Sequence, residues 1–325
     1  MQRRAVLRLA AAAVFAPSRG WGQPSRVARI GLLTPGPVLA ESDARLAAMK
    51  AALADHGYVP GRNLVIEQRA AGGRAHELPR LAQELAAAKV DVIVTNGFPP
   101  AAAAKATGLP TVTAAGVGDP VATGLIESLA RPGTNVTGIS DDASELSTKR
   151  LGLLKELVPE LRHVAMLWNQ DDLGMTLRYR ASAEAAAGLG VAVKALGVRE
   201  PDDFNAAFAA MDRDRPEAIL MVSDSLTILN RTRVFAYAAT HRLPAIYETD
   251  MLVRDGGLMS YGADATESYQ RAAALVDHIL RGAKAAELPF ERPTRYILAI
   301  NSKTASGIGL SISPLLIARA DEVIE

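Results

Sequence analysis

After an apolar opening, the chain alternates short runs of β-branched and other apolar residues with longer segments whose apolar positions recur every three or four residues. Residues 27–33 read as a strand, 41–56 as a helix with Leu46, Met49 and Leu53 on one face, and 64–68 as a second strand. Residues 77–88 then read as a helix, 90–95 as an apolar strand, 99–106 as a helix opened by proline, and 110–114 as a fourth strand. The series pauses at Ala130-Arg131-Pro132-Gly133, yields one strand at 136–139 and starts again. Helical spacing returns at 145–157, 176–189, 203–211 and 226–241, between strands at 163–168, 191–196, 218–222 and 244–247. A short strand at 258–261 and a helix over 265–280, stopped by Gly282, follow. Apolar strands separated by helices imply parallel sheets covered on both faces with right-handed crossovers. The pattern thus predicts an α/β fold of two doubly wound parallel-sheet lobes joined by a hinge. Lobe 1 is assigned residues 23–140 plus 262–325, and lobe 2 residues 141–261.

The first 22 residues break the pattern. Arg3-Arg4 precede an apolar run from Ala5 to Ala16 interrupted by Arg8, and Pro17 and small residues lead to Gly22. A positive start, a short apolar segment and a small-residue end are the parts of a cleavable signal peptide, with the cut between Gly22 and Gln23. Twelve helical residues reach only ~18 Å against the ~30 Å of a bilayer core, so the run is too short to span. Arg3-Arg4 also match part of a twin-arginine export signal. The expected location is therefore the periplasm, as a soluble protein. Removing residues 1–22 takes four arginines and no acid, which moves the formal charge from +1 to −3. A mildly acidic chain without a basic, aromatic-interleaved stripe is a poor nucleic-acid binder. It has no cysteine, which excludes disulfides, thiolate metal sites and a lipid anchor on a thiol.

Recognisable catalytic motifs are missing. Gly116-Val117-Gly118 begins like a dinucleotide loop, but Val121 stands where the third glycine belongs and Pro120 removes a donor. No phosphate loop ends in Gly-Lys-Ser/Thr. His76-Glu77 lacks the second histidine of a zinc helix, since Arg80 stands there, and the five histidines have no metal-ligand spacing. Ser140 is followed by Asp141-Asp142 rather than by a nucleophile elbow. The reading is of a protein without catalytic residues, metal or cofactor.

In open parallel sheets, ligands bind beyond the carboxyl ends of the strands. The loops there contain Thr34, Asn96-Gly97, Gly116, Trp168-Asn169, Asp171, Ser223-Asp224, Tyr247-Glu248 and Tyr261. Aromatic faces can sandwich an apolar ligand body while Asn, Ser and Asp fix its polar ends. Some of these residues also have a purely structural reading. Asp224 precedes a helix and suits an N-cap, and Trp168 suits a sheet core. Glu248 has no obvious helix to cap and is a candidate partner for a ligand ammonium.

Several runs in order resemble one family. They are Gly57-Tyr58-Val59-Pro60-Gly61-Arg62-Asn63-Leu64, the strand from Asp91 to Thr95, Asp119-Pro120-Val121, and Arg131-Pro132-Gly133-Thr134-Asn135-Val136-Thr137-Gly138. Gly257-Leu258-Met259-Ser260-Tyr261-Gly262 and the closing Asn301-Ser302-Lys303-Thr304-Ala305 with Gly307-Ile308 complete the set. Together they resemble the ABC-transporter substrate-binding protein family of the tryptophan/tyrosine-binding type, built on the type I periplasmic-binding fold. The resemblance implies capture of a small organic solute between two lobes, expected to be aromatic or carboxylated, and its delivery to an inner-membrane permease with a separate ATPase, by a protein that acts as a monomer. It also implies ligand contacts at Thr34, Asn96, Asn169, Ser223 and Tyr247. The chain departs from the family at Gln170-Asp171-Asp172-Leu173-Gly174, where tryptophan-binding members hold the amino-acid backbone, and at Ser313, where the family usually has proline. Two rival readings share the fold: an exported two-domain isomerase or hydrolase with Asp224 or Glu248 as base, and a ligand-sensing module for a receptor kinase.

Overall fold

The structure is a computed structural model that describes residues 27–140 and 143–325. The leader assigned to residues 1–22 lies outside the described residues. Among those described, no helix is long and apolar enough to cross a membrane.

The first sheet comprises β1 (Ala28–Thr34), β2 (Leu64–Ala70), β3 (Val92–Asn96), β4 (Thr111–Ala115) and β5 (Val136–Gly138), in the order β2-β1-β3-β4-β5. Every pairing in it is parallel. Alternate residues of each strand serve opposite faces. Ile30, Leu32, Val92, Val94 and Val112 pack beneath the helices Ala44–Asp55 and Ala265–Leu280. Leu33 and Ile93 pack beneath the helix Leu78–Ala87. That two-sided burial is why these strands read as unbroken apolar runs. Gly31 serves the same close fit, since a Cβ there would stand 3.0 Å from Leu85 Cδ1.

The second sheet comprises β6 (His163–Asn169), β7 (Ala192–Val198), β8 (Ala218–Met221), β9 (Ala245–Tyr247), β10 (Met259–Ala263), β11 (Tyr296–Asn301) and β12 (Glu322–Ile324). Their order is β12-β11-β10-β9-β8-β6-β7, with β11 antiparallel to β10 and the remaining neighbours parallel. Both faces are filled, one around Leu154, Met166, Trp168 and Ile300, the other around Leu167, Phe204, Ile219 and Tyr247.

This topology corrects the expected division of the chain. Of the 262–325 segment, the helix Ala265–Leu280, with Tyr269, Ala272, Ala273 and Val276, and the stretch after it, with Ala285 and Phe290, enter the core of the first lobe. Strands β11 and β12 belong to the second sheet, because Ala299 and Ile300 find their backbone partners on β10 and β12. The chain therefore crosses between lobes three times. The crossings are bonded to one another, Ser140 N–H to Glu291 O at 2.8 Å and Asp264 N–H to Arg295 O at 3.0 Å. The expected helix over 226–241 is also two helices, Ser225–Leu229 and Arg231–His241. They break at buried Asn230, whose Nδ2 donates to Leu226 O at 2.9 Å.

Candidate ligand-binding site

The carboxyl ends of the two sheets face each other across a cleft of about 930 Å³. The first lobe lines it with Pro35, Gly72, Gly73, Asn96, Gly97 and Gly116. Gly97 has φ +96°, which lets β3 turn directly into the helix Phe98–Lys105. Gly116 packs so tightly on this turn that a Cβ would lie 3.0 Å from Asn96 Oδ1 and 3.3 Å from the Gly97 backbone.

The second lobe supplies most of the buried charge. Glu248, at the end of β9, is buried with 5% exposure and pairs with Arg150 at 2.8 Å and Arg178 at 2.7 Å. It also accepts the Ser223 N–H at 3.0 Å, and Arg150 Nε donates to the Tyr261 carbonyl at 2.7 Å. Burial pushes the Glu248 carboxyl up, but the two guanidinium groups and the Ser223 amide outweigh it and hold the group below its usual range. The cluster ties the ends of β8, β9 and β10 to two helices and fixes the cleft floor.

Beside it stand two more acids. Asp172 is 4% exposed and caps the helix Leu173–Gly188, its Oδ1 accepting the Met175 N–H at 3.3 Å. Burial and the nearby Asp224 charge push its carboxyl up to about 7. Asp224 caps the helix Ser225–Leu229 through Thr227 N–H at 2.9 Å and accepts from Asn169 Nδ2 at 2.6 Å. Its carboxyl is also raised, chiefly by burial. Close by, the buried hydroxyl oxygens of Ser223 and Thr249 have no hydrogen-bond partner.

Of the sequence candidates, the cleft brings together Asn96, Gly97, Gly116, Asn169, Asp171, Ser223, Asp224 and Glu248. Four others do not line it. Thr34 turns back on its own loop and donates to Pro37 O at 3.1 Å. Trp168 lies in the sheet core, 3.8 Å from the Tyr179 ring and bonded through Nε1 to Thr176 Oγ1 at 3.3 Å. Tyr247 is fully buried edge-on to Phe235, and the Tyr261 ring stacks on Tyr296. The expected aromatic sandwich is absent, because strand alternation turns Trp168 and Tyr247 into the core while the residues after them reach the cleft. Asp171 sits at the exposed rim on Arg199, and its neighbour Asp172 is the buried acid. Nor is either proposed base available. Asp224 is engaged as a cap, and Glu248 is held by two arginines.

The sequence reading missed Arg150, Arg178 and Asp172. Arg150 falls within the apolar stripe Leu146, Leu153, Leu154 and Leu157, and Arg178 within Met175, Ser182 and Ala186. An arginine inside such a stripe is the signal that would have found them, since a buried charge demands a partner.

The lobes meet above the cleft. A Cβ at Gly36 would lie 3.8 Å from Ser225 Oγ, and one at Gly73 only 2.8 Å from Leu229 Cδ1.

Comparison with known proteins agrees with this architecture. The family model of ABC transporter substrate binding proteins matches residues 38–324. A tyrosine-binding protein from Clostridioides difficile (strain R20291) is 26% identical over 260 residues, covering 80% of this chain and 74% of the relative. The crystal structure of a conserved domain protein from Vibrio cholerae has a TM-score of 0.85 at 23% identity, covering 92% of this chain and all of that one. An ABC domain from Streptococcus pneumoniae in complex with L-Trp has a TM-score of 0.83 at 22% identity, over 91% of this chain and 99% of that one. Two parallel-sheet lobes, a cleft at their strand ends and a family match across nearly the whole described chain lead to one conclusion: the chain belongs to the family of ABC transporter substrate binding proteins.

Proposed function

We propose that this protein is exported by a cleavable signal peptide, captures one small organic solute in the cleft between its lobes and hands it to an inner-membrane permease powered by a separate ATPase. The observation that carries this reading is the cleft itself: strand-end loops of both sheets line one cavity whose size suits a small solute. Asn96, Gly97 and Gly116 form the first-lobe wall of the site in this reading, and Asn169, Ser223, Asp224 and Glu248 the second-lobe wall. The work it does is binding and delivery rather than catalysis, carried out as a monomer. A ligand that touches both walls does so only when the lobes are closed, so it shifts the population toward the closed form by its differential affinity. A micromolar Kd corresponds to about −8 kcal/mol, within reach of a handful of buried hydrogen bonds. Mass spectrometry of solute co-purifying from the native periplasm tests the reading. One small molecule at near-stoichiometric amount supports it, and an empty cleft with no thermal stabilisation by any solute overturns it.

A further inference from the structure

The carboxylates of the cleft fall into two groups. Leaving aside Glu200, which is exposed, Asp43, Asp171, Glu248, Asp250 and Asp264 each pair with an arginine: Arg45 at 2.7 Å, Arg199 at 3.2 Å, the Arg150 and Arg178 pair, Arg254 at 2.7 Å and Arg295 at 3.4 Å. Asp172 and Asp224 do not. Among the described residues no cationic side chain pairs with either, although both are buried or half-buried and near enough for Asp224 to act on Asp172. The Asp172 carboxylate meets only the helix N–H groups of Gly174 and Met175. Adjacent carboxylates without a counter-charge are electrostatically costly, and a cation placed between them relieves both burial and repulsion.

Two further observations point to a ligand at this spot. The Ser223 and Thr249 hydroxyl oxygens are buried in the same wall without a partner, although buried polar groups are as a rule hydrogen-bonded. Among the described residues, Tyr269 is the one phenolic or indole ring that lines the cleft; it is 2% exposed and lies under the Arg45 guanidinium. No such ring offers a free face to stack on a ligand.

We propose that Asp172 and Asp224 form the anionic end of the ligand site and take the primary ammonium group of a small, non-aromatic organic solute. The proposal rests on the receptor reading above and narrows its substrate class. Asn169 Nδ2 holds the Asp224 carboxylate in place, and the helix caps hold both acids, so the site is organised before the cation arrives.

The test is a thermal-shift and calorimetric series at pH 8. Its probes are 4-aminobutyrate, 1,4-diaminobutane and L-ornithine, with their N-acetyl forms, L-tryptophan, glucose and myo-inositol as comparisons. At least one free amine should raise the melting temperature, and N-acetylation of that amine should abolish the effect. Asp172→Asn and Asp224→Asn should each weaken its binding about 10-fold or more. Asparagine is as good an N-cap as aspartate, so both variants keep the helix starts, and an unchanged circular dichroism spectrum verifies it. Binding of glucose, myo-inositol or an N-acetyl form in place of the free amines overturns the ammonium site, and a preference for L-tryptophan, whose ammonium is free, overturns the non-aromatic class; either result leaves the receptor reading standing. Unaltered amine binding by both variants overturns the ammonium site too. No response to any probe overturns the ammonium site, and the receptor reading falls with it only if protein from the native periplasm also carries no solute.

Discussion

One stretch of the first-lobe wall is mostly backbone, with Gly72, Gly73, Gly97 and Gly116 at positive φ and Asn96 between them, while the Asp43–Arg45 pair lies elsewhere on that wall. The second-lobe wall carries the buried Arg150–Glu248–Arg178 cluster and the Asp172–Asp224 pair. The glycine stretch supplies close approach, and the second-lobe wall most of the buried charge. In the receptor role proposed above, the first lets the other lobe come near and the second decides what is held between them.

Three perturbations would break or sharpen that contrast. The largest effect is expected at Glu248. Glu248→Ala leaves two buried guanidinium groups without their shared partner and should cost about 3–5 kcal/mol. Asn96→Ala on the opposite wall should cost under about 1 kcal/mol. Urea denaturation of the two variants gives the comparison, and equal losses would erase the distinction between the walls.

Next comes Asp172. Its carboxyl is raised from 3.8 to about 7 by burial and Asp224, so the folded protein holds a proton there that the unfolded chain releases between those values. This contribution to stability is complete below the unfolded value and is lost as pH rises through about 7. Asp172→Asn, which mimics the neutral form, should therefore be more stable than the parent at pH 8 by on the order of 2–4 kcal/mol, with the gap closing near pH 4. Melting temperatures across that range are the measurement, and a pH-independent difference would contradict it.

The smallest effect is at the glycine wall. Gly73 has φ +87°, so Gly73→Ala carries about 1–2 kcal/mol of backbone strain, and its methyl group would press on Leu229. Small-angle scattering of the ligand-free variant should show a larger radius of gyration. Adding Leu229→Ala removes the clash but not the strain and should restore the parental value. If the double variant stays expanded, the effect belongs to the loop and not to the contact between lobes.

Much of this was legible in the sequence, for physical reasons that also mark where legibility ends. Strands buried on two faces, such as β3 and β6, leave continuous apolar runs, and turn residues mark their carboxyl ends, so the cleft loops could be located. Which of two adjacent residues points into a cleft depends on the pleat, and that is why Asn169 lines it while Trp168 does not. Glu248 looked free because its partners, Arg150 and Arg178, lie 98 and 70 residues away in the sequence. The sheet membership of β11 and β12 rests on long-range backbone pairing, which no local pattern encodes.

The helix Ala265–Leu280 has a consequence for how the molecule comes into being. The first lobe's five strands are complete once Gly138 has been made, yet Tyr269, Ala272, Ala273 and Val276 of its core are made only after most of the second lobe. At ~5–20 residues per second, synthesis of the intervening stretch takes roughly 6–25 s, during which the first sheet exposes an apolar face. The nascent chain thus spends that interval as an aggregation-prone intermediate. Its two lobes mature together rather than one after the other, and whatever handles the nascent chain has a defined surface to shield.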